Sequence, residues 1–171
     1  MEKYDLCVIG AGPAGYASAM RAIDFGKKVI LIEKQKAGGA GLYKGALSSK
    51  TLWELSQKVK AVNESIVSVG RKKLEVTWEE INKTVNEAIF DRKFQYSCHI
   101  KLLEAESNKT FKYERGIGSF VDNHIIEISK ENGKNKQIYA ENTIIAIGSK
   151  PRLLQGVDVD EKVIMTSDGI H

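Results

Sequence analysis

Two cysteines in 171 residues cannot make a disulfide framework, and Cys7, inside an apolar run, and Cys98 do not form a metal site either. The three histidines, His99, His124 and His171, are scattered without ligand spacing, so no metal centre is expected. No apolar run approaches the ~20 residues that a membrane-spanning helix needs. Glu2 and Lys3 lead directly into the first apolar segment, so no secretory leader is expected. Basic stretches are equally scarce. The net charge of +4 comes from 26 basic and 22 acidic residues, and the densest cluster, Arg71-Lys72-Lys73, reads as a solvated turn after a helix. Neither nucleic acid nor a membrane is therefore an expected partner. Low-complexity sequence is absent. With 42% hydrophobic and 28% charged residues, the length suits one domain with a proper core and hardly two. Few thiols and no leader point to the reducing cytoplasm.

What is present is concentrated in the first 33 residues. Tyr4-Asp5-Leu6-Cys7-Val8-Ile9 is a short apolar run, the pattern of a strand buried on both faces of a parallel sheet. Gly10-Ala11-Gly12-Pro13-Ala14-Gly15 follows at once as a GxGxxG turn, then a helix to about Phe25, closed by Gly26. Lys28-Val29-Ile30-Leu31-Ile32 supplies a second apolar strand that ends at Glu33, 18 residues beyond Gly15. Strand, glycine turn, helix, strand and acid in this register make a complete dinucleotide-binding unit. Gly10 lets the chain turn off the strand, Gly12 lets backbone approach a pyrophosphate, and Gly15 lets the helix pack close. Pro13 suits the first helical position. The helix start offers free N–H groups and partial positive charge to a diphosphate, and Glu33 stands where a carboxylate accepts from a ribose diol. The plainer alternative is a glycine turn that serves packing alone.

Residues 38–45 carry four glycines in eight positions, a loop whose backbone can lie close against the same ligand. Ser48 and Ser49 are candidate caps for a helix over residues 50–69, whose apolar positions Leu52, Leu55, Val59, Val62, Ile66 and Val69 recur every three or four residues. Leu74-Glu75-Val76 reads as extended. Thr77 caps a second long helix that runs to about Ser107, with a less tidy amphipathic pattern from Arg92 to His99. The two helices are expected as an antiparallel pair over the sheet or at a subunit contact. Short strands are expected over residues 110–115, 119–122, 125–130 and 137–140, with turns at Asp122-Asn123 and Asn132-Gly133. Thr143-Ile144-Ile145-Ala146-Ile147 reads as a further, central buried strand opening onto the ligand crevice at Gly148.

Three blocks in this order carry a family likeness across nearly the whole chain: Gly10 to Gly15 with Glu33; Gly38-Gly39 followed by Ser49-Lys50; and Ala146-Ile147-Gly148 before Pro151. Ser167-Asp168 adds a weaker match. The chain resembles the FAD-binding, amino-terminal portion of the pyridine nucleotide–disulfide oxidoreductases, such as dihydrolipoamide dehydrogenase and the soluble transhydrogenases. The resemblance implies an α/β, Rossmann-like fold with a parallel sheet, flanking helices and a small antiparallel β meander. It implies FAD as cofactor, NAD(P)H as electron donor, a small-molecule electron acceptor and a homodimer for the full-length protein. By position it puts Gly12, Pro13 and Ala14 at the pyrophosphate, Glu33 and Lys34 at the adenosine ribose, and Gly39 and Ala40 along the diphosphate. Gly118 would meet adenine, Ile147 and Gly148 would close over the cofactor, and Lys50 would stand near the reactive nitrogen of the flavin.

Two departures shape the functional expectation. Disulfide-reducing members carry two cysteines, with four residues between them, just before the Ser-Lys pair; here those positions are Gly41 and Ala46. Ser48 stands where proline is usual, and the linker from Glu33 to the Gly-Gly pair is one residue short. No dithiol relay is expected. The resemblance also implies a second nucleotide-binding domain that this chain does not contain, with residues 1–150 as the FAD-binding domain and 151–171 as the start of the connection to it. The leading expectation is the FAD-binding part of a flavoprotein NAD(P)H oxidoreductase, transhydrogenase- or diaphorase-like, with little activity on its own. A non-catalytic FAD-binding or interaction module, and an NAD-binding regulatory domain, remain the alternatives.

Overall fold

The computed structural model describes residues 1–106, 109–130 and 133–169. Its central strand is β1 (Glu2–Ile9), which pairs in parallel with β2 (Val29–Glu33) on one side and β6 (Lys136–Ile145) on the other. β3 (Phe111–Arg115) extends the parallel part beyond β2. Beyond β6 come the antiparallel strands β5 (Ile125–Ser129) and β4 (Ile117–Phe120), giving the order β3-β2-β1-β6-β5-β4. The α/β class, the parallel sheet and the antiparallel meander are as the sequence implies.

Burial on both faces explains the apolar runs. Val8, Val29, Leu31 and Phe111 face α1 (Pro13–Asp24) and α4 (Trp78–Glu106), whose Ala19 and Ile100 meet them. Cys7, Ile9, Ile30 and Ile32 face the other way and pack against Ile126, Ile128 and Ile138 of the meander. The meander thus curls back over the parallel strands, and Gly116 N–H donates to the Glu33 carbonyl at 2.9 Å as the chain passes from β3 to β4.

Several boundaries differ from the sequence expectation, each for a tertiary reason. The glycine-rich stretch contains a short helix, α2 (Gly39–Tyr43), entered by a Gly38 turn whose N–H donates to the Ala11 carbonyl at 2.8 Å. Helix α3 (Ala46–Ser68) starts earlier than residue 50, because Gly45, with φ of +87°, takes the cap position and its carbonyl accepts from Ser49 N–H. Ser48 and Ser49 are therefore inside the first turn rather than caps, and Lys50 lies beyond that turn. Thr77 does cap α4: Glu80 N–H donates to its hydroxyl, and the Glu80 carboxylate accepts from Thr77 N–H at 2.8 Å. The connection at Leu74 forms no strand; Asn63 holds its backbone from both sides. The expected strands at 137–140 and 143–147 are one strand, β6, ending at Ile145. Its second half is not buried as expected: Ile145 is 61% exposed, since β5 pairs only with residues 136–139 and β1 alone borders the rest. Gly133 closes its turn on the Lys130 carbonyl, while Asn132, Ser107 and His171 lie outside the described residues.

α1 sits close on β1. A Cβ on Gly15 would stand 1.8 Å from the Gly10 carbonyl oxygen and 3.1 Å from the Ala146 methyl group. Gly15→Ala should therefore lower the unfolding free energy by about 2–3 kcal/mol or more, read from the urea midpoint; an unchanged midpoint would contradict this packing. A second expectation concerns acid. The Glu2 carboxylate accepts from Lys136 Nζ at 2.6 Å and from the Tyr4 hydroxyl at 2.9 Å, which pull its pKa from 4.5 to about 2. A lowered folded-state pKa means that this contribution is complete above pH 4.5 and disappears as pH falls through about 2. Glu2 is half exposed, so screening limits the gain to about 1 kcal/mol or less. Glu2→Gln should flatten the plot of urea midpoint against pH in that window, and an unaltered slope would count against the pairing.

Candidate cofactor crevice and adjoining cleft

The expected cofactor residues gather at the carboxyl ends of β1, β2 and β6. Register brings Ile9 beside Ile32, and Gly10 N–H donates to the Ile32 carbonyl at 2.7 Å as the chain leaves β1. Gly10 needs to be glycine: its φ is +102°, and a Cβ would lie 2.3 Å from the Ala146 carbonyl oxygen. Gly12 caps α1 without any side-chain hydrogen bond, and Pro13 takes the first helical position. The first amides of α1 are thus left without a side-chain partner at the positive end of its dipole.

Glu33, 9% exposed, turns back toward the bend. Its Oε2 accepts from Ala11 N–H at 2.7 Å and its Oε1 from Gln35 N–H at 2.9 Å. A carboxylate has about four acceptor sites, so both oxygens retain capacity for a diol. Beside it, burial first and then the Glu33 charge push the Tyr113 phenol up to about 12, which keeps it neutral.

The glycine-rich stretch meets the bend back to back. A Cβ on Gly39 would come within 2.9 Å of Gly12 Cα, and one on Gly41 within 3.0 Å of Pro13 Cγ. Gly118 rests against Ile9, and Ile147 runs beside Gly10. Ala14, Lys34, Ala40 and Gly148 are exposed around this floor. The structure therefore brings together Gly10, Gly12, Pro13, Ala14, Gly15, Glu33, Gly39, Gly118 and Ile147. Lys34, Ala40 and Gly148 flank them, and Lys50 approaches only through a neighbouring cleft. A floor made largely of glycine backbone, uncapped helix amides and a carboxylate with spare acceptor sites fit a dinucleotide such as FAD.

That cleft, of about 700 Å³, lies between α1, the α2–α3 segment and α4. Pro13, Gly41, Ala46 and Lys50 form one wall; Arg92, Gln95, Tyr96 and His99 form the other. Tyr16 of α1 closes it, its hydroxyl hydrogen-bonded to His99 Nδ1 and its ring 4.3 Å from that of Tyr96. Sequence reasoning missed this group. Its signal was the spacing of residues 92, 95, 96 and 99, one helical face that is polar where a packing face would be apolar. The Ser167-Asp168 match also finds a place, since Asp168 pairs with Lys44 at 2.8 Å between α2 and α3.

Both cysteines are free. Cys7 is fully buried in β1, and burial pushes its thiol up to about 12, so it is an inert core group. Among the described residues, no three His, Cys, Asp or Glu side chains cluster as a metal site, and no helix is long and apolar enough to cross a membrane.

Comparison with known proteins gives this arrangement its relatives. The profile of the family described as pyridine nucleotide-disulphide oxidoreductase matches residues 4–170. The dihydrolipoyl dehydrogenase of Bacillus subtilis is 29% identical over 171 residues, covering 97% of this chain and 36% of the relative. The mitochondrial dihydrolipoyl dehydrogenase of Schizosaccharomyces pombe is 35% identical over 98% of this chain and 32% of its own length. The soluble pyridine nucleotide transhydrogenase of Hahella chejuensis is 32% identical over 98% of this chain and 35% of its own length. The chain spans about a third of these relatives. With its strand–glycine turn–helix unit, its acid and its curled meander, the chain belongs to the pyridine nucleotide–disulphide oxidoreductase family and corresponds to the family's FAD-binding portion.

Proposed function

We propose that this chain is the FAD-binding part of a flavoprotein NAD(P)H oxidoreductase whose electrons reach a small-molecule acceptor without a dithiol relay. The observation that carries the reading is Glu33, held at the bend by Ala11 N–H, beside a floor made of backbone and α1's uncapped start. In this reading FAD supplies two-electron redox chemistry when bound. The chain's own residues bind and orient it: Glu33 holds the ribose diol with Lys34 beside it, and Gly10, Gly12, Pro13, Ala14 and Gly15 present the diphosphate to the helix start. Gly39 and Ala40 line the opposite edge. Gly118 lies along the adenine, Ile147 and Gly148 cover the cofactor, and Lys50 provides a cation for negative charge on the ring system. Residues 1–150 make up this domain, and 151–171 lead toward a separate NAD(P)-binding domain. The longer protein works as a homodimer in the cytoplasm.

The family's thiol positions support the absence of a relay. Gly41 and Ala46 both line the cleft, and Pro13 already crowds the space a side chain on Gly41 would need. The same two residues favour the competing reading, a flavin-binding module without catalysis. Denaturing one sample identifies the released cofactor, and anaerobic addition of NADH or NADPH to the native longer protein separates the two: bleaching of bound FAD identifies the oxidoreductase. A chain that takes up no FAD would sink both.

Glu33→Gln tests the site more narrowly. It keeps an acceptor for Ala11 N–H but removes the charge, so each lost charge-assisted bond to the diol should cost about 1.5–3 kcal/mol. The dissociation constant of FAD, read from flavin fluorescence, should rise at least tenfold or so. Unchanged affinity would remove Glu33 from the cofactor site.

A further inference from the structure

We propose that a second, smaller pocket, between the α2–α3 segment and the first half of α4, binds small monocarboxylates with an apolar body, of which benzoate is the type. The pocket stands apart from the flavoprotein reading, which gives its residues no role.

Position and size come first. The pocket holds about 190 Å³ and shares only Leu42 with the larger cleft, so α2 forms the wall between the two. That volume lies below the about 300 Å³ at which sites for drug-sized molecules begin, which limits a guest to a single ring or a short chain. On the α4 side Trp78, Asn82, Val85, Asn86, Ile89 and Lys93 fall on one stripe at helical spacing. A stripe that served only helix packing would be apolar throughout, and this one is polar at three of its positions.

The second support is a hydroxyl without a partner. Ser48 lines the α3 wall at 2% exposure, and its Oγ makes no hydrogen bond among the described residues. Its neighbours do turn back onto the helix: the Ser49 hydroxyl donates to the Ala46 carbonyl at 3.3 Å and the Thr51 hydroxyl to the Leu47 carbonyl at 2.9 Å. A buried hydroxyl left unpaired lowers stability unless a guest supplies the partner.

Charge selects the class of guest. No aspartate or glutamate lines the pocket, and Lys93 is its one cation, with Nζ 4.5 Å from the centroid of the Tyr43 ring. Burial holds the Tyr43 phenol above its ordinary value, so that group stays neutral. A single positive charge favours a single negative one. Lys93 stands two turns beyond Asn86, and long helical side chains lean toward the helix start, which brings the ammonium back toward that amide. The Asn86 amide and the Ser48 hydroxyl add neutral donors for carboxylate oxygens. Leu42, Leu52, Val85 and Ile89 cover the rest with hydrocarbon, and Trp78 adds a ring. Phosphate would set more charge against those apolar walls. A carboxylate on a small apolar body meets all three features.

Titration with benzoate, with benzamide as the neutral comparison, tests the site. The chain has two tryptophans, and replacing the exposed one by Trp53→Phe leaves Trp78, in the pocket wall, as the reporter. Benzoate should change Trp78 emission saturably and raise the urea midpoint. Benzamide should bind roughly tenfold more weakly. Lys93→Gln should remove that preference, and Lys93→Arg should recover part of it. Ser48→Ala should weaken benzoate severalfold yet leave the ligand-free urea midpoint at or above the parent's, because it deletes an unpaired hydroxyl. A lower ligand-free midpoint would mean that the hydroxyl is already satisfied by water, and would overturn the proposal. So would the absence of a saturable response, or equal benzoate affinity in the parent, Lys93→Gln and Ser48→Ala. Displacement of benzoate by FAD would move it to the cofactor crevice and overturn the proposal as well. The affinity should be the same with and without FAD, so a chain that fails to load FAD fails the earlier reading alone.

Discussion

The hydrogen bond from Ala11 N–H to the Glu33 carboxylate joins the end of β2 to the bend after β1, and the shape of the crevice depends on it. A buried carboxylate is costly unless it is hydrogen-bonded. Here two backbone amides satisfy it, each bond to the charged group being worth about 1.5–3 kcal/mol. The contact is possible only because β1 and β2 are parallel neighbours with Ile9 beside Ile32, which brings the next residue of each strand to the same edge. It also requires a bend without side chains, since Gly10 presses on Ala146 and Gly15 on Gly10. Gly38 N–H then donates to the Ala11 carbonyl, so one residue of the bend is tied at its N–H to β2 and at its oxygen to the next segment.

From that anchor the rest of the architecture follows by packing. The sheet must bury both faces of β1 and β2 because their side chains are apolar on both. Helices supply one cover, and the curled meander supplies the other. The curl comes from β6, which starts beside β5 and ends beside β1, so that the antiparallel strands swing over Ile9, Ile30 and Ile32. Gly116 reaches the end of β2 because it follows Arg115, which pairs with Glu33, and the curl then brings Gly118 against Ile9 at the end of β1.

The unit from Tyr4 to Glu33 was legible because each of its signals is local and chemically distinct. An apolar run, three spaced glycines, a proline at a helix start and a terminal acid leave few other structures open. The capping of α4 by Thr77 was legible for the same reason. What failed to show were features decided by tertiary contacts. Gly45 resembles a loop residue, and the two serines after it look like better caps, yet the left-handed backbone at Gly45 opens α3. Glu141 and Asn142 read as a break between strands, but β6 continues through them along β1, both exposed and the Asn142 amide donating to the Asp5 carbonyl. The apolar run after them looked doubly buried, although only one strand borders it. The irregular stretch from Arg92 to His99 looked like a weak amphipathic pattern because its inward face meets a cleft and not a core.

The small residues at 41 and 46 link the two halves of the site. A side chain at 41 would press on Pro13, so the approach of α2 to the start of α1 depends on glycine there. The same residue leaves no thiol on the cleft side, and Ala46 adds only a methyl group. Close approach of the two backbones and the lack of sulfur chemistry in the cleft are therefore one structural fact with two consequences. With no nucleophile in its middle, the cleft has only its rim to act with: cations at Lys50 and Arg92, and rings at Tyr16 and Tyr96. Such groups can hold and orient a guest by charge and by ring contact.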